Sequence, residues 1–597
     1  MTDVTARFGV QRGRYRSIFG AAENWNAPRF SWHDHYPKDV PPGCHIPEIR
    51  VEILLEKAAE AFPDRPVIHF YSTTWTYREL LARVRQVAGN FQKLGIKAGD
   101  RILFVLPNSP EYVLLWFAAQ YCGAEVVPAN PLYPPKEVAA LLKRTKAKML
   151  IGLDVRLEPC TGAIEEYPVD LFVVTSIRPH LPAQLRAIYS LKTWFSGKIK
   201  VPASTKLLRM ESLYSQKASP LTAPVSTDLD QIAVAQPTGG TTGSPKLAMI
   251  THRNLMAQVC QNHSMARHEP GTDVVLAVLP FFHVYGSTVL MLSSIGGAAT
   301  MVLFPRFEVR QLAAAVEKYQ PTALPLVPFM FQELNAELLR KPRKFKRLHL
   351  VSSGASAIDA ETREKFMELT GACICEGYGL SEASPVLTAN VPETNRPGTV
   401  GMPVSDTEIK IVDAADGTRE VPIGEVGELI ARGPQIMKGY LDNPEETRQT
   451  IRDGWLYTGD LAVMLPDGYF KIVDRKKDMI ISGGLNIFPS EVEAKLVTLP
   501  NVADAAVVGQ RDRRWGERVI AYVVPKPGSK LDPKELKELC RPLMAQYKIP
   551  RDFQIVEKLP VSFLGKLRRT ELRSALTTAE NTSLIEGDQN SASSRFE

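Results

Sequence analysis

Residues 238–246 read Thr-Gly-Gly-Thr-Thr-Gly-Ser-Pro-Lys, a run of glycines and hydroxyls closed by Pro245 and Lys246. Gly239, Gly240 and Gly243 let backbone N–H groups come close to an anion. Thr238, Thr241, Thr242 and Ser244 add hydroxyl donors, and Lys246 adds a point charge. A Walker loop needs Gly-Lys-Ser/Thr contiguous at the start of a helix. Here Ser244-Pro245 separate Gly243 from Lys246, and the apolar run Leu247-Ala-Met-Ile250 that follows has strand character. The chain therefore does not carry a P-loop. It carries a different phosphate loop, the alternative being a flexible surface turn.

At 597 residues the chain exceeds one ordinary core and should divide into at least two domains. Val51–Phe62 and Tyr77–Leu94 have helical apolar periodicity. Arg101–Leu106 reads as a buried strand stopped by Pro107-Asn108-Ser109, followed by a helix over Glu111–Cys122 and a strand at Val126. This alternation recurs to about residue 400 and predicts a layered α/β architecture with mostly parallel sheets. Glycines and prolines then punctuate short strands such as Glu408–Val412 and Gly427–Arg432, giving a β-rich subdomain. Beyond Asp474-Arg-Lys-Lys477 helices (Pro489–Leu499, Pro533–Gln546) alternate with strands at Ala505 and Val519. The expected fold is α/β: a large layered N-terminal α/β domain with a β-rich subdomain, plus a small mobile α+β C-terminal domain. The boundaries are an arm over 1–44, a main domain over 45–474 (basic insertion 171–210, β-rich part 400–474), a C-terminal domain over 475–576 and a disordered tail over 577–597.

Hydrophobic content of 44% and charged content of 23% suit a globular protein, and seven irregularly spaced cysteines make no disulfide framework. That cysteine usage suits a reducing cytoplasm, and no apolar stretch of the secretory-signal kind is visible after Met1. The stretch Val274–Phe304 is long enough to span a bilayer. Pro280, His283, Gly286 and Gly296-Gly297 break it into strand, loop, buried helix and strand. Net charge is +7, and Leu171–Met210 holds no acid but seven bases, from Arg178 to Arg209. Leu181, Leu185, Ile188 and Leu191 fall there at helical spacing. This suits peripheral contact with an anionic membrane, on its inner face, as well as an ordinary surface helix. Aromatic interleaving is too sparse for a nucleic-acid partner.

Four further motifs follow the loop in order: Glu376-Gly377-Tyr378-Gly379-Leu380-Ser381-Glu382, Tyr457-Thr-Gly-Asp460, Asp474-Arg475-Lys476-Lys477, and Gly565-Lys566. Over roughly residues 45–575 the set resembles the adenylate-forming (AMP-binding) superfamily of acyl-CoA synthetases, luciferases and peptide-synthetase adenylation domains. The run Asp453–Asp460 with Asp467-Gly-Tyr-Phe470 resembles bacterial long-chain fatty-acid–CoA ligases.

The resemblance implies two reactions. Fatty acid and ATP give acyl-AMP and pyrophosphate, then the CoA thiol displaces AMP. The alternatives are a CoA ligase for aromatic, medium-chain or dicarboxylic acids, or an acyl-AMP ligase feeding a carrier protein. By resemblance the 238–246 loop holds the β- and γ-phosphates, Glu376–Gly379 form the adenine segment with Tyr378 stacked on the base, and Ser381 donates to the α-phosphate. Glu382 is an oxygen ligand for Mg²⁺. Gly354-Ala355-Ser356 lines the adenine and acyl pockets or forms an exposed turn. Asp460 takes the ribose diol, with Arg475 reaching the ribose or phosphates. Lys566 neutralises the carboxylate and the α-phosphate, entering and leaving with a moving domain. His283, in Pro280-Phe-Phe-His283, lines the carboxylate site or is a satisfied core histidine. Rotation about Lys477 withdraws Lys566 and brings Gly483-Gly484 to the pantetheine arm. Similar ligases form homodimers, which is an expectation of the resemblance alone.

Overall fold

The computed structural model describes residues 30–576 apart from 39, 196–198, 216–218, 239–245, 267–268, 513 and 563–564. The terminal arm to residue 29, the tail beyond 576 and the glycines of the phosphate loop lie outside the described residues. The chain divides into two compact units, 1–409 with 431–456, and 410–430 with 457–597.

The first unit is built on two sheets. In the nine-stranded sheet, Leu350–Ser353, Ala323–Leu326, Val274–Ala277, Thr300–Leu303 and Pro66–Phe70 run parallel in that order. In the eight-stranded sheet, Ile232–Thr238, Glu125–Pro128, Arg101–Val105, Met149–Leu153, Leu171–Thr175 and Lys206–Arg209 run parallel in sequence across the sheet. Strands such as Met149–Leu153 and Leu171–Thr175 are buried at every position. That is why they read as continuous apolar runs rather than alternating ones.

The helix Pro110–Tyr121 is buried all round. Ser109 caps it by accepting Tyr112 N–H at 3.1 Å, and Pro110 occupies the first turn, where a missing N–H costs nothing. Tyr112 packs edge-on against Phe104 of one sheet and donates to the Phe281 carbonyl, beyond a strand of the other, at 2.8 Å. Asn108 donates to the Ala277 and Leu279 carbonyls and accepts from Phe281 N–H at 2.7 Å. The carboxyl ends of two sheets are thereby clamped together. Between residues 274 and 304 the order is strand, loop, buried helix (Tyr285–Leu292, a π-helix, then Ser293–Gly296) and strand. Among the described residues no helix is long and apolar enough to cross a membrane.

In the second unit Asp460 to Met464 pairs antiparallel with Phe470–Arg475. A further sheet orders Leu485–Ile487, Ile480–Ser482, Gly516–Pro525 and Val502–Asp512, with Asp552–Ile555 parallel to Gly516–Pro525. Its core gathers Ile480, Val492, Leu496, Val507, Val519 and Val523 from strands and from the helix Pro489–Leu496. The helix expected to reach Gln546 stops at Cys540, because Pro542 brings no N–H and its ring opposes further turns. The basic stretch 171–210 begins and ends in sheet strands that pair in register from Leu171↔Lys206 to Val174↔Arg209. Its helix, Ala183–Phe195, leaves Leu185, Ile188 and Leu191 exposed.

Candidate active site

In the first unit Thr238 ends one strand and Lys246 begins its antiparallel neighbour, and the register sets the two opposite each other. The strands on either side of the phosphate loop are therefore paired up to its two ends. Lys246 Nζ pairs with the Glu446 carboxylate and lies 5.2 Å over the Tyr440 ring. The Tyr440 hydroxyl donates to Glu382 Oε1 at 2.7 Å, and Met437 N–H donates to the Glu382 carbonyl at 2.8 Å. Burial and the Glu382 charge push the Tyr440 phenol up, so it stays a donor. The candidate phosphate lysine and the candidate metal carboxylate thus share one neighbour. Sequence reading missed Tyr440 and Glu446, which lie in the β-rich stretch and carry no motif of their own.

The strand Cys375–Gly379 carries the Gly377-Tyr378-Gly379 segment, with Tyr378 opposite Thr388. A Cβ on Gly379 would lie 2.1 Å from the Pro385 carbonyl oxygen, so only glycine fits there. Glu376 differs from its neighbours. Its carboxylate is buried, accepts Ile358 N–H at 3.4 Å and faces Arg363 at 3.5 Å, and burial raises its pKa. Its side chain braces the strand against Ile358 and Arg363. Ser381 and Glu382 follow in a short 3₁₀ turn and are half-buried.

His283 Nδ1 accepts Tyr285 N–H at 3.2 Å, which in the neutral ring leaves the proton on Nε2. The Tyr285 hydroxyl meets Ser352 Oγ at 3.0 Å, and burial pushes this phenol up to about 12. The Tyr285 ring also lies against Gly354, where a Cβ would come within 2.9 Å of it. His283 and Gly354 are thus joined through Tyr285 beyond the carboxyl ends of two strands of one sheet, with Ala323–Leu326 between them, the usual ligand edge of an open α/β sheet. Ala355 has φ +72° and, like Ser356, is exposed, so this segment is a strained turn at the surface.

In the second unit Asp460 pairs in register with Arg475, whose Nε lies 3.5 Å from Asp460 Oδ1. Asp460 N–H donates to Thr458 Oγ1 at 3.1 Å. Lys566 sits in a small turn. Its N–H donates to Ser562 Oγ at 3.1 Å, its carbonyl accepts Ser562 N–H at 2.7 Å, and Gly565 has φ +77°. Although the residue reaches solvent, its ammonium is pushed down to about 8, by desolvation first and then by the Arg475 charge. Asp460 opposes the shift and Lys477 adds to it. Lys477 is itself lowered, by burial and then by Arg475. Asp460, Arg475, Lys477 and Lys566, scattered over more than a hundred residues, therefore form one electrostatic cluster.

Gly483 (φ +59°) and Gly484 (φ +79°) make a two-residue hairpin turn between Ser482 and Leu485. Gly483 N–H donates to the Trp515 carbonyl at 2.7 Å, and a Cβ on Gly483 would meet that indole at 3.2 Å. Arg551 lies 4.3 Å from the Trp515 ring centroid. Trp515 is a third residue that sequence reading missed. Among the described residues no group of three or more His, Cys, Asp or Glu side chains could hold a metal ion.

Residues 55–441 match the family described as AMP-binding enzyme, and residues 491–566 match the AMP-binding enzyme C-terminal domain. A long-chain-fatty-acid–CoA ligase of Bacillus subtilis is 36% identical over 545 residues, covering 91% of this chain and 97% of that protein. A feruloyl-CoA synthase of an Amycolatopsis species is 32% identical, covering 87% and 97%. Among solved structures, an anthranilate CoA ligase in complex with anthranoyl-AMP superposes with TM-score 0.77 at 25% identity, covering 90% of this chain and 99% of that one. The chain belongs to the AMP-binding enzyme family, as an AMP-forming acid–thiol ligase.

Proposed function

We propose that the chain is a long-chain fatty-acid–CoA ligase. Supporting this most directly is its likeness, over nine-tenths of its length, to a ligase of that specificity. In the first half-reaction a carboxylate oxygen attacks the ATP α-phosphorus, the bond to the β-phosphate bridging oxygen breaks, and pyrophosphate leaves. In the second the CoA thiol gives up its proton, sulfur attacks the acyl carbon, and AMP leaves with its bonding oxygen.

The chemical difficulty is bringing one anion against another, so fixed cations and oriented donors carry the work. Thr238, the loop 239–245 and Lys246 hold the outer phosphates. Ser381 donates to the α-phosphate, Tyr378 stacks on adenine beside Gly377 and Gly379, and Gly354–Ser356 border the base and acyl group. Asp460 takes the ribose diol, with Arg475 beside it, and Lys566 neutralises the forming bond. His283 presents Nε2–H toward the carboxylate. A magnesium ion fits this set: Glu382 offers one carboxylate, and Mg²⁺ favours one or two carboxylates plus waters and substrate phosphates. When bound it would neutralise charge on the departing pyrophosphate. Rotation of the C-terminal part about Lys477 then exchanges Lys566 for the Gly483-Gly484 turn, where the pantetheine thiol enters.

The exposed Leu185, Ile188 and Leu191 on a helix that carries Arg186 and is flanked by Arg178, Lys200 and Lys206 support peripheral contact with an anionic membrane, on the cytoplasmic side, where fatty acids partition. A homodimer is part of the same reading. A second specificity, for aromatic acids, is favoured by the likeness to the feruloyl-CoA synthase. Pyrophosphate release measured across acids of increasing chain length and across cinnamic and benzoic acids, with and without CoA, decides between them. Preference for the aromatic series would overturn the long-chain assignment. Acyl-AMP formation without any CoA product would overturn the acceptor.

A further inference from the structure

We propose that a groove at the amino ends of the nine-stranded sheet is a second anion site, shaped for a phosphate-bearing small molecule. Its floor is the start of three adjacent strands, at Pro66, Val274 and Thr300. Arg65, His69, Thr272, Lys318, Tyr319 and Arg347 border it, around an open space of about 490 Å³. His283 and Gly354 follow the opposite, carboxyl ends of the same sheet. Strands of four or five residues rising about 3.3 Å each set the two edges roughly 13–17 Å apart. The groove is therefore not an extension of the candidate active site.

Three permanent cations converge from separate parts of the chain, and main-chain carbonyls orient two of them. Arg65 donates to the carbonyls of Ala298 (2.8 Å) and Asp273 (2.9 Å), and Arg347 to that of Thr272 (3.1 Å). A carbonyl fixes a guanidinium without cancelling its charge, and the remaining fork donors of Arg347 suit phosphate oxygens. Lys318 Nζ rests 4.7 Å over Tyr319, which stacks on His69 with centroids 5.0 Å apart. Among the described residues no carboxylate lies within 4 Å of the Lys318 or Arg347 nitrogens. Asp273, at this edge, is buried and accepts from Thr322 Oγ1 at 2.8 Å, while Glu317 pairs with Arg343.

Two effects work against an anion here, and both are small. The C-terminal end of the helix Val309–Tyr319 contributes partial negative charge, which Lys318 in its last turn offsets. His69 is held neutral, by burial and then by Lys318, and so adds a hydrogen-bonding group rather than a charge. The volume is that of a small-molecule site and exceeds what one inorganic phosphate fills, which favours a nucleotide-sized ligand.

The test is calorimetric titration of the full-length protein with 3′-phosphoadenosine 5′-phosphate, with glycerophosphoglycerol as the soluble lipid headgroup, and with inorganic phosphate. At least one probe should bind the wild type at millimolar concentration or below. The Lys318→Ala/Arg347→Ala double variant should weaken that binding about tenfold or more, with pyrophosphate exchange unchanged, while Lys246→Ala retains it. The stronger of the two organophosphate probes identifies the source. Absence of binding by every probe, equal binding by the double variant, or loss of all binding in Lys246→Ala would each overturn the proposal.

Discussion

Raising the pH through the Lys566 titration should switch off acyl-adenylate formation if this ammonium draws the carboxylate to the α-phosphate. Its pKa is pushed from 10.5 down to about 8, by desolvation and then Arg475. With that value the free enzyme is about nine-tenths protonated at pH 7 and about one-tenth at pH 9. ATP–pyrophosphate exchange with a saturating fatty acid should therefore lose about tenfold in kcat/KM for ATP between pH 7 and pH 9. The limb in kcat should lie at higher pH, because bound polyphosphate favours the ammonium form. Lys566→Arg keeps its charge at every pH used, so its weaker activity should show no limb near pH 8. Lys566→Ala should lose about 10²–10³ in kcat, as expected for one electrostatic donor at a developing charge. A flat wild-type profile from pH 7 to 9, or the same limb surviving in Lys566→Arg, would refute the reasoning.

Tyr440→Phe removes the hydroxyl that holds Glu382 at 2.7 Å, and should raise the Mg²⁺ concentration for half-maximal exchange about three- to tenfold. An unchanged Mg²⁺ dependence would separate Glu382 from the metal. Gly379→Ala drives a Cβ to 2.1 Å from the Pro385 carbonyl, and should lower the melting temperature in calorimetry through about 1–3 kcal/mol of overpacking, with exchange activity lost. A stable, active Gly379→Ala enzyme would contradict the close approach. Replacing Leu185, Ile188 and Leu191 together by Gln should reduce co-sedimentation with phosphatidylglycerol vesicles about tenfold or more while leaving exchange with a soluble short-chain acid intact. Equal sedimentation would return that helix to the ordinary surface.

The first half of the chain was legible because its signals are local. The apolar run from Arg101 is a buried strand stopped at Pro107, and the helix read over Glu111–Cys122 forms at Pro110–Tyr121, whereas in the C-terminal part the helix-ending effect of Pro542 was overlooked. The contiguous parts of the candidate site were legible as segments: paired strands ending at Thr238 and starting at Lys246, a strand ending in Gly377-Tyr378-Gly379, and a two-glycine turn at 483–484. What the motif did not show is where the Glu376 side chain lies within its strand. Alternate residues on a strand face opposite sides, and which side is covered is decided by packing, here by Arg363 and Ile358.

By itself the sequence determined the layered α/β class, the family and the phosphate chemistry, since each depends on residues adjacent in the chain. Only the tertiary structure decided that Tyr440 bridges Lys246 and Glu382, that Trp515 flanks Gly483, and that Arg65, Lys318 and Arg347 border one groove. The physical reason is strand order. Periodicity tells whether a segment is a strand and how buried it is. Which strands become neighbours is settled by the packing of the whole sheet, and there residues 58 to 282 positions apart become neighbours.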